Sequence, residues 1–232
     1  MKHKSQIVLF QSPPEACSYL DNRVARNVYA DPFRMPTMDM YNALIQKGFR
    51  RSGHHIYRPH CDNCSACISV RIPVEQYKPN RTQRRAWKAN SDLARFVADS
   101  RYTNEYFTLY KKYLSGRHPD AGMDNPEKQD FERFLISDWC ETVFCELRQD
   151  DKLLCVAVTD IVNTGLSSVY TYFDPDLPQR SLGTTAIMMQ IELARTMKLP
   201  YVYLGYWIEA SEKMKYKSTF SVQEKFIHDR WV

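Results

Sequence analysis

Three cysteines lie at a spacing that suits metal binding, in the run Cys61-Asp-Asn-Cys64-Ser-Ala-Cys67. With Cys17 as a distant fourth thiol, they can supply the four thiolates that zinc or an iron–sulfur cluster takes. The sequence has no clear second pair of the kind usual in zinc sites, so a reduced loop whose thiols pack or titrate without metal is the other interpretation. Cys140, Cys145 and Cys155 lie in apolar stretches and are interpreted as buried hydrophobic residues.

Positive charge is concentrated in about a quarter of the chain. Between Tyr41 and Arg95, eleven Lys and Arg residues stand against three acidic residues, whereas the net charge of the whole chain is +5. Such a concentration attracts polyanions such as nucleic acid. At helical spacing, four of these cations share one face, and they are candidates for contact with a nucleic-acid backbone: Arg81, Arg84, Arg85 and Lys88. The alternative is an ordinary solvated helix face.

The second half of the chain predicts a strand–loop–helix–strand unit. Strands are predicted at 167–173 and 201–206, with an amphipathic helix at 184–197 and a turn that reads Arg180-Ser-Leu-Gly183. A glycine at a helix N-terminus lets a phosphate approach backbone N–H groups, where the helix dipole also favours an anion. The unit resembles the acyl-donor half of the GNAT (N-acyltransferase) fold, whose phosphate turn is only partly matched here. An ordinary βαβ crossover is the alternative.

The remaining elements lie mostly before that unit. Helices are predicted at 38–47, at 103–115, from residue 130 and along a charged stretch from Pro79 toward Val97; strands are predicted at 49–57, 68–73, 142–148 and 153–161. We therefore predict an α+β fold, with a GNAT-like transferase domain at 99–232 and an N-terminal Cys-containing subdomain at 1–98. No apolar run reaches 18 residues and no signal core is present, so we expect a cytoplasmic protein with reduced thiols and no membrane association.

Several longer motifs occur together along the chain. They are Gly48-Phe-Arg-Arg-Ser-Gly53, Tyr57-Arg-Pro-His-Cys61, Arg71-Ile-Pro-Val74, Arg81-Thr-Gln-Arg-Arg85, Tyr172-Phe-Asp-Pro175, Leu204-Gly-Tyr-Trp-Ile208 and Lys213-Met-Lys-Tyr-Lys217. In this combination the sequence resembles the bacterial aspartate/glutamate leucyltransferases, relatives of the eukaryotic arginyl-tRNA–protein transferases, from about Cys17 to Glu224. In the eukaryotic relatives an early Cys-x-x-Cys helps hold an iron–sulfur cluster, whereas this chain has Cys17-Ser-Tyr-Leu20 there.

The resemblance implies an enzyme that moves leucine from Leu-tRNA to the N-terminal Asp or Glu of an acceptor protein. The product is a destabilising N-terminus that the bacterial N-degron pathway reads. The reaction is aminolysis of an ester by an α-amine, which has a pKa of about 8 and is therefore partly neutral at cytoplasmic pH. Positioning can supply most of the rate, with a general base and an oxyanion donor adding to it, so no cofactor is required.

The reaction that the resemblance implies calls for particular residue types, and candidates follow from their chemistry and position. For acid–base work we predict Tyr172 and Asp174 at the end of a strand, and Glu209 after Trp207; Asp174 can equally be a turn residue and Glu209 a surface residue. An acidic acceptor calls for cations, and Arg suits a carboxylate best. The candidates for the acceptor pocket are Arg50, Arg51, Arg71, Lys213 and Lys217. The candidates for tRNA contact are Arg81, Arg84, Arg85 and Lys88, with Arg180 and Gly183 at the phosphate turn.

Two rival functions and one choice of donor stay open. An acetyl-CoA-dependent GNAT acetyltransferase is disfavoured by the incomplete phosphate turn. A non-catalytic zinc module that binds RNA through residues 41–95 would have no need of the organised second half. Related enzymes transfer arginine to similar acidic N-termini, and the sequence does not identify the residues that choose between leucine and arginine. For any single Arg or Lys of the acceptor pocket, a solvated surface position or a phosphate contact is the alternative.

Overall fold

The computed structural model describes residues 7–117 and 125–232; residues 1–6 and 118–124, which belong to the two predicted domains, lie outside the described residues. The helices are α1 Met38–Ile45, α2 Arg81–Ala89, α3 Asn104–Arg117, α4 Lys128–Leu135 and α5 Leu182–Thr196, with 3-10 segments at Pro178–Arg180 and Glu212–Thr219. The strands are β1 Leu9–Gln11, β2 Glu15–Ala16, β3 Val24–Ala25, β4 Asn27–Ala30, β5 Arg50–Ser52, β6 His55–Pro59, β7 Ile68–Pro73, β8 Ala94–Asp99, β9 Thr142–Gln149, β10 Lys152–Val162, β11 Gly165–Phe173, β12 Tyr201–Trp207, β13 Glu224–Ile227 and β14 Arg230–Trp231.

Eight strands form one sheet in the order β14-β13-β7-β12-β11-β10-β9-β8. Every neighbouring pair is antiparallel except β11 and β12. A parallel pair needs a crossover connection, and α5 supplies it. At the start of β11, a Cβ atom on Gly165 would lie 2.9 Å from the carbonyl carbon of Tyr201. Glycine is therefore required there for the two parallel strands to approach each other.

The two faces of this sheet carry different helices because side chains alternate along each strand. Val156 and Val158 of β10 pack with α3 and α4, whereas Ala157 between them packs with α5. Helix α2 lies beside α5, and its Ala86 is buried. The sheet is thus covered on both faces by apolar side chains. Within residues 7–117 and 125–232, no helix combines the length and the apolar character needed to cross a bilayer.

The N-terminal strands form a second sheet of four strands, in the order β1-β4-β6-β5, beside the small β2–β3 pair. Helix α1 begins after Thr37, whose hydroxyl accepts a hydrogen bond from the amide of Met40 at 3.3 Å. Its Tyr41 and Ile45 are buried in one cluster with Tyr203 of β12. Strand β7, by contrast, lies inside the large sheet between β12 and β13. The predicted boundary at residue 98 stays a prediction, and the eight-stranded sheet takes strands from both sides of it.

Most predicted elements are present, and the mixed helix and strand composition is confirmed. The predicted strand at 49–57 is a hairpin of β5 and β6. The predicted helix from Pro79 toward Val97 is wrong in its second half, because α2 ends at Ala89 and residues 94–99 form β8. Asn80 and Gln83 cap the start of α2 reciprocally. Beyond its end, pairing of β8 with β9 outweighs the helical pattern of the sequence.

Candidate functional site

Strands β11 and β12 run parallel but pair only near their beginnings. The paired residues are 165–167 with 201–203, although the strands continue to Phe173 and Trp207. Past these pairs the strands separate. We call the space between Ser168 of β11 and Gly205 of β12 the strand gap. Backbone groups of both strands border this gap, so it offers polar contacts inside an otherwise apolar sheet.

Arg50 enters the strand gap from β5. Its Nη2 donates a hydrogen bond to the carbonyl of Ser168, and the residue is only 6% exposed. Among the described residues, its Nε and Nη1 have no hydrogen-bond partner, and no carboxylate forms an ion pair with it. A buried cation with unmet donors costs several kcal/mol unless an anion compensates it. The position therefore suits an anion that comes from outside the chain.

Gly205 provides the room for this guanidinium. Its φ of +83° lies in the left-handed region, at an irregularity in the pairing of β12 with β7. A Cβ atom built on Gly205 would lie 2.8 Å from Cζ of Arg50 and closer still to Nη1. Both the backbone conformation and the contact with Arg50 thus require glycine. Gly205 and Ser168 were not among the site residues predicted from the sequence, although a glycine inside an apolar strand is a known signal of close approach.

Lys217 is the second buried cation near the strand gap. It lies in the 3-10 segment Glu212–Thr219, is 8% exposed, and donates through Nζ to the carbonyl of Tyr206 at 2.5 Å. Burial, and then the nearby charge of Arg50, lower the pKa of Lys217 to about 7. Among the described residues, no acidic side chain forms an ion pair with it. A neutral amine is therefore a substantial part of its population near neutral pH.

The other three residues predicted for the acceptor pocket lie in different surroundings. Arg51 is fully buried and donates from Nε and Nη2 to both carboxylate oxygens of Asp160, at 2.7 and 2.8 Å. Arg71 forms an ion pair with Glu224 at 2.5 Å and stacks on nearby aromatic rings. Lys213 is exposed. Arg50 and Lys217 thus combine burial with the lack of an acidic partner in the described chain. The roles of all five stay predictions.

The three residues predicted for acid–base work do not meet in one place. Tyr172 is fully buried in the aromatic cluster under α3, and burial raises its pKa well above the usual range. Asp174 is almost fully buried; burial acts to raise its pKa, but the hydrogen bonds from Lys112 at 2.5 Å and from the amide of Asp176 at 3.1 Å, with the charges of Lys112 and Lys152, together lower the pKa. Glu209 is exposed just beyond β12. Their catalytic roles stay predictions.

Helix α2 presents its cations to solvent. Arg81, Arg84, Arg85 and Lys88 are exposed, while Gln83 and Ala86 face inward. Arg84 donates to the carbonyl of Pro79 at 2.5 Å, and within the ranges that the structure covers none of the four forms an ion pair. The helix therefore displays a face of uncompensated positive charge.

The turn before α5, where the sequence predicted a phosphate, is held by hydrogen bonds and an ion pair within the protein. Asn90 at the end of α2 donates through Nδ2 to the carbonyl of Arg180 at 2.6 Å and to the hydroxyl of Thr185 at 2.9 Å. Arg180 itself pairs with Asp92 at 2.9 Å. Gly183 lies in the first turn of α5, against the ring of Phe173. Contact of Arg180 and Gly183 with tRNA stays a prediction.

The four predicted metal-ligating cysteines come together in the fold. Burial, and then the charges of Cys61, Cys17 and Cys64, raise the pKa of Cys67 to about 12. Cys61 and Cys64 also form an isolated β-bridge, and Sγ of Cys61 lies 3.5 Å from the amide nitrogen of Arg26. In the described part of the chain, however, no three His, Cys, Asp or Glu side chains are arranged to hold a metal ion. A zinc or iron–sulfur site stays a prediction.

A cavity of about 470 Å³ lies between the β5–β6 hairpin and helices α3 and α4. Two residues of its wall lie near residues that border the strand gap. Ser52 on its wall is two residues along β5 from Arg50. Phe134 on its wall packs against Tyr170 of β11, with ring centroids 5.2 Å apart, and Tyr170 is two residues along the strand from Ser168. The cavity therefore lies close to the strand gap.

The splayed β11–β12 pair, linked by α5 across one face, defines the protein as having an N-acyltransferase type of fold. Two solved structures have a similar fold. FemX matches with a TM-score of 0.50 and 9% identity, over 89% of this chain and 85% of its own. A DUF2156 C-terminal domain from Agrobacterium fabrum matches with a TM-score of 0.51 and 15% identity, over 70% of this chain and 58% of its own. At these identities the likeness concerns the fold alone.

Two family models match most of the chain. The model described as "Arginine-tRNA-protein transferase, N terminus" matches residues 15–85, and the corresponding C-terminus model matches residues 105–227. The chain belongs to the arginine-tRNA-protein transferase family. Relatives named "Aspartate/glutamate leucyltransferase" include one from Hahella chejuensis, 44% identical over 100% of this chain and 99% of its own, and one from Nitrosococcus oceani, 47% identical over 96% and 94%. The resemblance inferred from the sequence motifs is confirmed.

Proposed function

We propose that this protein transfers leucine from Leu-tRNA to the N-terminal Asp or Glu of acceptor proteins in the cytoplasm, and so creates an N-terminus that marks them for degradation. The names of its relatives support the reaction. The observation that carries the acceptor assignment is Arg50, a buried cation in the strand gap with two free donor nitrogens and no carboxylate partner in the described chain. An acidic side chain is the ligand that such a position favours.

The acceptor chain is proposed to bind with its first side chain on Arg50. A carboxylate there would accept from Nε or from Nη1, which lie on different edges of the guanidinium, and would compensate a charge that otherwise lacks a partner. The adjoining cavity of about 470 Å³ would hold the residues that follow. Recognition of the terminal residue would then be electrostatic, whereas the rest of the peptide would contribute little selectivity, since the cavity is lined by residues of mixed polarity such as His54 and Phe134.

The donor is proposed to be an aminoacyl-tRNA rather than acetyl-CoA. The exposed cations of α2 supply a face for a phosphate backbone. At the N-terminus of α5, the cation of the turn, Arg180, is paired with Asp92 at 2.9 Å rather than free to bind a pyrophosphate. Asp92 also adds negative charge there, which disfavours a bound phosphate. Both features support tRNA as the donor.

The chemistry depends mainly on holding the two substrates in position, and no protein group becomes covalently attached. The acceptor amine attacks the carbonyl carbon of the leucyl ester, the ester C–O bond breaks, and the terminal ribose oxygen of the tRNA leaves with a proton. Backbone N–H groups of the separated strands are suited to stabilise the negative charge that develops on the carbonyl oxygen. Holding both substrates in the strand gap converts a bimolecular reaction into an intramolecular one.

Aminolysis needs neither electron transfer nor a Lewis acid, so we propose that the reaction requires no cofactor. Zinc or an iron–sulfur cluster at Cys17, Cys61, Cys64 and Cys67 would instead stabilise the fold of the N-terminal part of the chain. Metal analysis of protein purified without oxygen tests this site. Absence of both iron and zinc contradicts metal binding, and loss of transfer on chelation without unfolding contradicts a purely structural role.

A transfer assay tests the proposed function directly. Purified protein is incubated with Leu-tRNA or Arg-tRNA and with peptides that begin with Asp, Glu or Ala. We expect leucine on the Asp and Glu peptides only. Arg50→Gln should abolish transfer while Leu-tRNA still binds, and Lys128→Gln, at an exposed lysine of α4, serves as the matched control. Transfer from acetyl-CoA, or transfer to the Ala peptide at an equal rate, would overturn the proposal.

A further inference from the structure

We propose that Lys217 accepts the proton that the α-ammonium group of the acceptor must lose before it attacks the ester. The inference rests on the proposed function and names a catalytic residue for it. The buried Nζ atom of Lys217 is held by the carbonyl of Tyr206 at 2.5 Å, next to the strand gap. A lysine used only as a structural cation would be expected to pair with a carboxylate, and the described residues provide none.

Covalent geometry places the acceptor amine near this lysine. In Asp or Glu the α-nitrogen and the side-chain carboxyl carbon are three or four bonds apart, so they lie within about 5 Å of each other. When the carboxylate binds Arg50, the amine must therefore lie among the groups that surround Arg50. Lys217 lies close by, because its Nζ donates to the carbonyl of Tyr206, the residue that follows Gly205, and Gly205 packs against Arg50.

The surroundings of Lys217 favour its neutral form. The charged or titratable residues near it are Arg50 from β5, Tyr216 from its own segment, whose ring centroid is 5.9 Å from Nζ, and Tyr206 from β12, which meets Nζ through its backbone carbonyl rather than its hydroxyl. Burial raises the pKa of Tyr206 well above its usual range, so that group is neutral too. With burial and Arg50 lowering its pKa to about 7, Lys217 carries a free lone pair at pH 7.5 in half or more of the molecules.

Binding of an acidic residue would strengthen this base. Its carboxylate offsets the charge of Arg50, which is one of the two causes of the low pKa of Lys217. The pKa of Lys217 therefore rises toward the value of about 8 of the α-ammonium, and the proton transfer becomes more favourable. An N-terminal Ala brings no carboxylate and leaves the pKa of Lys217 low. Acceptor selectivity would then act on the chemical step as well as on binding.

The proton balance of the step is complete. Lys217 Nζ takes one proton from the α-ammonium, and the amine nitrogen forms the new bond to the ester carbon. The C–O bond to the ribose breaks as the ribose oxygen takes the proton from Lys217. The second proton that the nitrogen loses passes to water. No oxidant, metal or further reactant enters, and Lys217 returns to its neutral form for the next acceptor.

Single-turnover transfer to a saturating Asp peptide, measured between pH 6 and 9, tests the proposal. Lys217→Arg places a permanent positive charge there and cannot act as a base, and Lys217→Met removes the titratable group. For both we expect a rate loss on the order of 100-fold at pH 7.5, with loss of the inflection near pH 7, because a general base contributes about that much. Lys215→Arg and Lys215→Met, at an exposed lysine of the same segment, should behave like the unchanged protein.

Two results would overturn the proposal. One is a Lys217→Arg variant with unchanged rate and pH profile, or with only a raised KM for the peptide, since either leaves no proton transfer for Lys217. The other concerns NMR of the free protein with 13Cε-labelled lysine. The resonance of Lys217 is identified by its absence in Lys217→Arg. We expect it to titrate near pH 7, and we expect its titration midpoint to rise when an Asp peptide is added. Titration near pH 10 refutes the role. This measurement needs no transfer activity, so it separates failure of Lys217 from failure of the proposed function.

Discussion

Replacing Gly205 by alanine should disable recognition of acidic acceptors without disturbing the tRNA face. The new Cβ atom would lie 2.8 Å from Cζ of Arg50, which is well inside van der Waals contact, so the guanidinium must leave its position. Because Arg50 is held on its other side by the carbonyl of Ser168, it cannot shift within the strand gap and keep that hydrogen bond. The perturbation therefore acts on one side chain that lies in the centre of the sheet.

The size of the effect follows from two terms. A left-handed conformation costs an alanine about 1–2 kcal/mol relative to glycine, and the φ of Gly205 is +83°. This term lowers the free energy of unfolding. Loss of one charge-assisted hydrogen bond to the acceptor carboxylate costs about 1.5–3 kcal/mol. The second term lowers kcat/KM for an Asp peptide by roughly 10- to 150-fold, with Leu-tRNA affinity unchanged.

Gly48→Ala is the matched control for this variant. Gly48 has a similar φ of +78°, but a Cβ atom there would meet the ring of Phe226 at 2.8 Å rather than Arg50. Urea denaturation should show a comparable loss of stability in both variants, whereas kcat/KM for Asp and Glu peptides should fall only in Gly205→Ala. If Gly205→Ala kept the full kcat/KM, Arg50 would not be the residue that holds the acceptor carboxylate.

Three further predictions concern other parts of the molecule. Asp160→Asn leaves buried Arg51 without its counter-charge, so urea denaturation should show a loss of about 3–5 kcal/mol, while exposed Asp138→Asn should show almost none. Between pH 7.5 and 9, the free energy of unfolding of the unchanged protein should rise by about 1.4 kcal/mol per pH unit relative to that of Lys217→Met. The reason is that Lys217 stays protonated in the unfolded chain, whereas in the folded protein, with a pKa of about 7, it is neutral. An identical dependence on pH in both proteins refutes this. Removing cations from α2 should weaken Leu-tRNA binding and reduce its salt dependence by about one unit per lost phosphate contact, as filter binding across salt concentrations would show for Arg81→Gln, Arg85→Gln and Lys88→Gln.

The fold was predictable from the sequence wherever local pattern and burial agree. Alternation along β7 and the long apolar face of α5 identified both elements, and the cap at Asn80 marks the start of α2 in the sequence itself. The stretch 94–99 was not predictable in this way. Four of its six residues are exposed, and only its pairing with β9, about fifty residues later, makes it a strand. A contact of that range leaves no local signal.

The candidate site was likewise predictable where local chemistry decides and not where distant contacts decide. The sequence indicates that Arg and Lys are needed for an acidic acceptor, and both Arg50 and Lys217 were among the candidates. It cannot indicate that Arg51, the next residue in the chain, forms an ion pair with Asp160, more than a hundred positions away. Nor can it indicate that Gly205 makes room for Arg50. Residue type follows from chemistry, whereas the choice among like residues depends on long-range partners.

The insertion of β7 between β12 and β13 has a consequence for synthesis on the ribosome. The residues of β7 leave the ribosome roughly 130 residues before those of β12 with which they pair. At about 5–20 residues per second, that delay is roughly 7 to 26 seconds. During this time Val70 and Ile72, which are fully buried in the finished protein, have no sheet to join. The nascent chain therefore exposes an apolar strand that a chaperone can hold, and its yield should depend on how fast the second half is translated.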